Sequence, residues 1–484
     1  MNLDADDPNW PELLSHPADE SRDGDGDDRE AMPLERHLLA VAARAREATP
    51  KRAETAEGES LRDAAELVGL AHDFGKATTY FQTHIGNATG DGEPSHHARL
   101  GGLLAYYALS RRGYGPRSCF AGLVAVAKHH GTLPNAESFL TNALHQQSTW
   151  RSWKTDRSAF NGHAVEQAAN VEENHPEFAR AVVDRLVGDA GSWSEFRSLA
   201  AAARPEATDG ETSLRERLRE AFMVKDLHWH PASCLFDDGA TYLDELRLYG
   251  TLTFADKTHA ARIAADDERL RAAPLDAAQI RDHIEALGDD DPDPEALETR
   301  LNEIRSGVQA SVDGRRAVDP VADFLDSDAR VATLTLPTGY GKTLTGLLAA
   351  ARIREATDGD RVIYALPFTS VIDQTADVLR DLLREGSDGV DPVRDRRLTV
   401  HHHLSESLTL PSDRDEDDAP EPSDEEMDRA VMLAESWRAG VTLTTFVQLF
   451  ESLAGPRNTQ SMKLPALYGS VVVIDEPQAL PLTW

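Results

Sequence analysis

The chain has 484 residues and a formal net charge of -34, with 28% charged and 40% hydrophobic residues. That length allows two or three domains, each with its own core; the acidity, with lysine scarce beside arginine and acid, fits adaptation to high salt and argues against a uniformly basic nucleic-acid binder, leaving room only for a local basic groove. Cys119 and Cys234 stand far apart with no C-x-x-C pairing, and no apolar run approaches the roughly 20 residues that span a bilayer, so a disulfide framework, a cysteine zinc site and a membrane anchor are not expected and the cytoplasm is.

Residues 1–32, rich in aspartate broken by glycines, lack apolar periodicity and predict a disordered acidic tail. From Pro33 the pattern turns helical: Leu34, Leu38, Val41 and Ala45 share one face, then Leu61, Ala64, Ala65, Val68 and Ala71 share another. Strand patterns are almost absent before residue 330, so residues 33–268 predict an all-α domain. His37, the pair His72-Asp73, His96-His97, His129-His130 and Asp256 each fall near the edge of a helical run. Any one histidine is more often a core or surface residue, but the set is a metal-ligand constellation. Imidazole and carboxylate without thiolate suit manganese, iron, nickel or cobalt, and Asp73 could bridge two ions while His72 binds one. Such a pair would clamp a phosphodiester and activate water near neutral pH. Lys76, one turn beyond His72, either contacts the scissile phosphate, orients the bridging carboxylate, or is a solvated helix-end lysine.

Residues 269–315 read as a helical and acidic linker, with an Asp-Pro-Asp-Pro stretch inside 287–297 opposing packing. The character then changes. Runs rich in Val, Ile, Leu and Thr at 331–336, 362–366, 441–445 and 471–474 alternate with helical patterns such as 344–353, which predicts a mainly parallel sheet with helices on both faces over 316–484. An acidic run at 412–428 reads as an exposed insertion.

Thr338, Gly339, Tyr340, Gly341, Lys342 and Thr343 lie between an expected strand and an expected helix, where loop N–H groups can wrap phosphates. Lys342 would meet the outer phosphates of ATP and Thr343 would hold magnesium. Leu336 stands where the simplest loop of this kind has its first glycine. Asp475 and Glu476 end the last strand, Asp475 to coordinate the magnesium through water and Glu476 to polarise the attacking water.

His72-Asp73-Phe74-Gly75-Lys76, His97, His129-His130-Gly131 and Ala255-Asp256 resemble the motifs of HD-superfamily metal phosphohydrolases. Joined to residues 366–375, Thr444-Thr445-Phe446-Val447-Gln448 and Asp475-Glu476-Pro477-Gln478, they make the chain, from Pro33 onward, resemble the helicase-nucleases that execute type I CRISPR interference. The resemblance implies an HD domain that nicks and degrades single-stranded DNA. It also implies the first RecA-like lobe of an ATP-driven superfamily 2 helicase, and recruitment by an RNA-guided surveillance complex. It maps the ligands of two transition-metal ions onto His37, His72, Asp73, His97, His129, His130 and Asp256, with Lys76 beside them. His97 is preferred to His96 because it stands four residues before Gly101. Thr369, Ser370 and residues 444–448 would lie on a DNA-facing rim. Family members continue past the position of Trp484 into a second lobe with an arginine finger. The expectation is therefore that another polypeptide supplies that lobe or that it is lost, that ATP hydrolysis is weak alone, and that nuclease activity persists. Gln478 replaces the His or Asp common at its place in the motif. Competing readings are an HD phosphohydrolase acting on small nucleotides and an inert fragment or docking subunit.

Overall fold

The structure is a computed structural model that describes residues 13–18, 30–86, 97–134, 139, 163–202, 239–263, 274–287, 297–384, 397–402 and 432–480. His96, Cys234, the Asp-Pro-Asp-Pro stretch and the acidic run 412–428 lie outside the described residues, as does most of the expected tail. The chain divides into two compact units: Met1–Ala265 with Leu453–Pro465, and Asp266–Ser452 with Ala466–Trp484. Among the described residues no helix is long and apolar enough to cross a membrane.

The first unit is helical. Helix α1, Leu34–Ala48, buries Leu34, His37, Leu38, Val41 and Ala45 along one face, the three- and four-residue spacing of an amphipathic helix. Helix α2, Leu61–Ala71, starts where the Ser60 side chain accepts from the Asp63 backbone N–H and ends at His72. After a 3-10 turn at Phe74–Ala77 come α3, Thr79–Gly86, α4, Ala98–Arg111, and α5, Pro116–Lys128. α4 packs on α5, α1 on α2, and the long helix Ala240–Ala260 lies against α1, α2 and α5. That long helix has no narrow apolar stripe, since Leu246, Leu248, Tyr249, Leu252, Phe254 and Ala255 are all buried around it. Phe74 anchors the turn after His72-Asp73, stacking on Phe178 at 6.1 Å and meeting Trp193 and Phe196 edge-on. The expected tail is partly ordered: β1, Leu14–His16, pairs antiparallel with β2, Met32–Pro33, and Leu13 is buried. A three-residue strand is too short to declare itself by alternation.

The second unit carries a parallel sheet in the order β4-β5-β3-β6, formed by β3, Arg361–Leu366, β4, Leu398–His401, β5, Val441–Thr445, and β6, Ser470–Ile474. β3 and β5 are buried throughout, as central parallel strands require. Residues 331–336, expected as a strand, form no ladder here: Val331 is 81% exposed and Leu334 41%. Strand propensity records only that a segment suits a pleated surface; a neighbouring edge must still be met. β4 was not expected, being four residues long. The span 269–315, expected as a helical linker, holds the helices Ala277–Ala286 and Leu297–Val312. Leu275, Ala277, Ile280 and Val312 belong to the core with Leu347, Leu348, Tyr364 and Leu366, because their apolar spacing gives them a face to bury.

Candidate metal centre and phosphate loop

Helix ends bring the histidines together. His72 follows α2, His97 precedes α4, His129 follows α5, while His37 lies within α1 and Asp256 within Ala240–Ala260. The side chains converge on Asp73, which is fully buried. Its Oδ2 lies 3.2 Å from His37 Nε2, 3.3 Å from His72 Nε2 and 2.7 Å from Lys76 Nζ. Its Oδ1 lies 3.0 Å from His97 Nε2, 3.4 Å from His129 Nε2 and 4.0 Å from His130 Nε2. Asp256 Oδ1 closes the first side, 3.3 Å from His37 Nε2 and 3.7 Å from His72 Nε2. Two groups of ligand type result, His37, His72, Asp73, Asp256 and Asp73, His97, His129, His130. Every residue expected as a metal ligand is thus in the cluster.

The residues fit a pair of cations. Ligand bonds of about 2.0–2.2 Å place two donors on one ion roughly 3 Å apart, which is the spacing found. Among the described residues neither Asp73 oxygen nor His129 Nε2 has a hydrogen bond of good geometry, although all are buried. His72 Nδ1 meets the Gly69 carbonyl at 2.7 Å and His129 Nδ1 the Val126 carbonyl at 2.6 Å, so each Nδ1 donates a proton to the backbone and each Nε2 faces the cluster. Burial pushes the Asp73 carboxyl up, but His72, Lys76 and His97 outweigh it and hold it well below the usual carboxylate range. Burial opposes charge on His72, yet Asp73 and Asp256 carry its imidazole up to about 10, whereas burial pulls His97 down to about 4. The pocket therefore favours positive charge beside its carboxylates, which divalent ions would provide. Gly101 is required here: a Cβ on it would sit 2.3 Å from the His72 carbonyl oxygen.

Lys76 is buried rather than solvated, donating to the Ser15 carbonyl and hydroxyl at 3.3 Å as well as pairing with Asp73. Sequence reading missed Ser15, His16 and His259. His259 Nδ1 lies 2.8 Å from His37 Nδ1, and its position three residues after Asp256 on one helix could have marked it. His16, whose ring centroid is 5.2 Å from that of His37, left no such signal.

In the second unit, residues 338–341 turn into the helix Lys342–Ala356. Lys342 pairs with Glu476 and lies 3.5 Å from Asp475, which raises the Lys342 ammonium and lowers the Glu476 carboxyl. The Tyr364 hydroxyl donates to Asp475 at 3.0 Å and also meets Thr343, linking the two residues expected at magnesium. Arg305 Nε, not anticipated, donates to the Gly339 carbonyl at 2.7 Å. Because all the strands run parallel, Thr369, Phe446 and Asp475 follow strands at one end of the sheet. Of the residues expected on the rim, Thr444, Thr445 and Phe446 are buried, Thr369 and Gln448 are half-buried, and Ser370 and Val447 are exposed.

Residues 20–203 match the family described as Cas3, HD domain, and residues 317–410 match DEAD/DEAH box helicase. The CRISPR-associated nuclease/helicase Cas3 of Haloferax volcanii is 35% identical over 435 residues, covering 88% of this chain and 43% of that protein, so the chain spans under half of that relative's length. Crystal structures of T. fusca Cas3 with ADP and with ATP align at TM-scores of 0.48 and 0.47 with 19% and 20% identity. The first covers 98% of this chain and the second 97%, each over 48% of the other. The chain carries a Cas3-type HD domain followed by a DEAD/DEAH box helicase segment and is a relative of the Cas3 nuclease/helicases.

Proposed function

We propose that the chain is a metal-dependent nuclease that cuts single-stranded DNA in type I CRISPR interference, with an ATP-dependent motor segment on the same polypeptide. The observation carrying this reading is Asp73, which presents one oxygen to each of two ligand groups. His37, His72, Asp73 and Asp256 hold one ion, and Asp73, His97, His129 and His130 the other, drawn from manganese, iron, nickel or cobalt. When bound, such a pair supplies Lewis acidity to a phosphodiester and acidifies water between them. His130, with its side chain 52% exposed, marks the open side by which a DNA backbone reaches the site. Lys76 holds the Asp73 carboxylate at 2.7 Å and would place a positive charge beside the phosphate.

In the motor segment Thr338, Gly339, Tyr340, Gly341, Lys342 and Thr343 cradle ATP, Lys342 exchanging Glu476 for the phosphates. Thr343 and Asp475 hold magnesium and the released Glu476 orients water. A surveillance complex guided by RNA would present the displaced strand.

The two-ion reading is tested by counting manganese or cobalt on the purified chain after equilibrium dialysis. Wild type should retain two ions, Asp73→Ala neither, and Lys342→Ala both; one ion in wild type, or two in Asp73→Ala, contradicts it. Faster turnover of mononucleotides or cyclic dinucleotides than of single-stranded DNA would favour a small-molecule phosphohydrolase instead.

A further inference from the structure

Two of the ligands sit on one short turn, and that turn is held from a distant part of the sequence. His129 and His130 follow the last residue of α5, where helix carbonyls lack partners of their own. Asn458 Nδ2 donates to the His129 carbonyl at 2.9 Å. The Tyr249 hydroxyl lies 2.5 Å from the Gly131 carbonyl and also meets Asn458 Oδ1. Just beyond, Leu133 N–H donates to the Pro456 carbonyl at 2.8 Å, and Thr132 bridges Arg457 in antiparallel fashion. The segment Leu453–Pro465 thus folds as part of the helical unit although the residues on either side of it in sequence belong to the other.

The segment is built to stay there. Ser461 and Met462 are fully buried, and the Arg457 backbone N–H donates to Gln460 Oε1 at 3.2 Å. Gly250 admits it: a Cβ at that position would stand 2.4 Å from the Ser461 carbonyl oxygen. Tyr249 is fully buried, so its hydroxyl has no water to turn to.

The turn sets two imidazoles at once. His129 Nε2 points at Asp73 Oδ1 from 3.4 Å, and His130 Nε2 lies 2.8 Å from His97 Nε2. We propose that Asn458, with Tyr249, is a positioning residue for the ion held by Asp73, His97, His129 and His130, fixing the turn from which two of its ligands project. This rests on the two-ion reading above. The ion at His37, His72, Asp73 and Asp256 draws no ligand from this turn and does not depend on Asn458.

The test is cobalt titration of the full chain, followed by calorimetry and by the cobalt absorption band. Wild type should show two binding events. Asn458→Ala should weaken one of them by about tenfold, the size expected when a ligand's supporting hydrogen bond is lost, and leave the other within about twofold. Asn458→Asp, which keeps the size and the oxygen facing Tyr249 but removes the donor, should behave alike, and Tyr249→Phe should show a smaller loss. In a His130→Ala background Asn458→Ala should still weaken that event, because His129, whose carbonyl Asn458 holds, remains one of its ligands. Unchanged affinities in Asn458→Ala and Tyr249→Phe, or equal weakening of both events, would overturn the proposal. Absence of both events in wild type would overturn the two-ion reading and this inference with it.

Discussion

His37 can turn a lone pair on Nε2 toward a metal only if its Nδ1 carries the proton, and His259 Nδ1, 2.8 Å away, is an acceptor for that proton in the tautomer that carries its own on Nε2. Burial pulls His259 down to about 3, so it stays neutral and able to accept. His259→Phe keeps an aromatic ring there and removes the acceptor; cobalt titration should find the affinity of one ion reduced about tenfold with the other unchanged. Equal affinities would mean that α1 packing alone orients His37. At this scale the residues that cluster around Asp73 were legible in sequence, because His72-Asp73 and His129-His130 are neighbours at helix ends. Their supports were not: Ser15 and His259 reach the site across 61 and 222 residues, and contacts that remote leave no local pattern.

Helix Ala240–Ala260 presents Asp256 to the cluster around Asp73 and also buries Glu245 completely, with no hydrogen-bond partner for either carboxylate oxygen among the described residues. Burial, then the nearby Asp244, push Glu245 from 4.5 up to about 8. A carboxyl whose folded pKa lies above its unfolded one keeps its proton in the native state, so stability falls as pH rises from 4.5 toward 8 and levels off beyond. Glu245→Gln cannot ionise. Its melting temperature should match wild type near pH 4.5 and exceed it by a margin that widens toward pH 8; a constant difference would show that Glu245 is not held neutral. Elements themselves were legible where apolar spacing ran for several turns, as in α1 and α2. They were misread where a pattern stood in for a neighbour: residues 331–336 look like a strand but have no partner edge, and β4 is too short to show its period.

Across the whole chain, the second compact unit begins at Asp266, and Leu275, Ala277 and Ile280, which fall in the span expected as a linker, join the α/β core. The return of Leu453–Pro465 to the helical unit was not legible, since contiguity is the one cue a sequence offers to domain membership. No side chain of the phosphate loop belongs to the two ligand groups, so Lys342→Ala should nick DNA at the wild-type rate when metal is present and ATP is absent. Loss of nicking in that variant would show that the loop serves the nuclease. The central claim is that the cluster around Asp73 cuts single-stranded DNA. The most direct measurement is cleavage of circular single-stranded DNA, in high salt with manganese, nickel or cobalt and no ATP, by wild type and by Asp73→Ala. Wild type should give linear and then shorter products and the variant an intact circle; an intact circle with folded, metal-loaded wild type, or equal cutting by both, would show that this cluster does not cut single-stranded DNA.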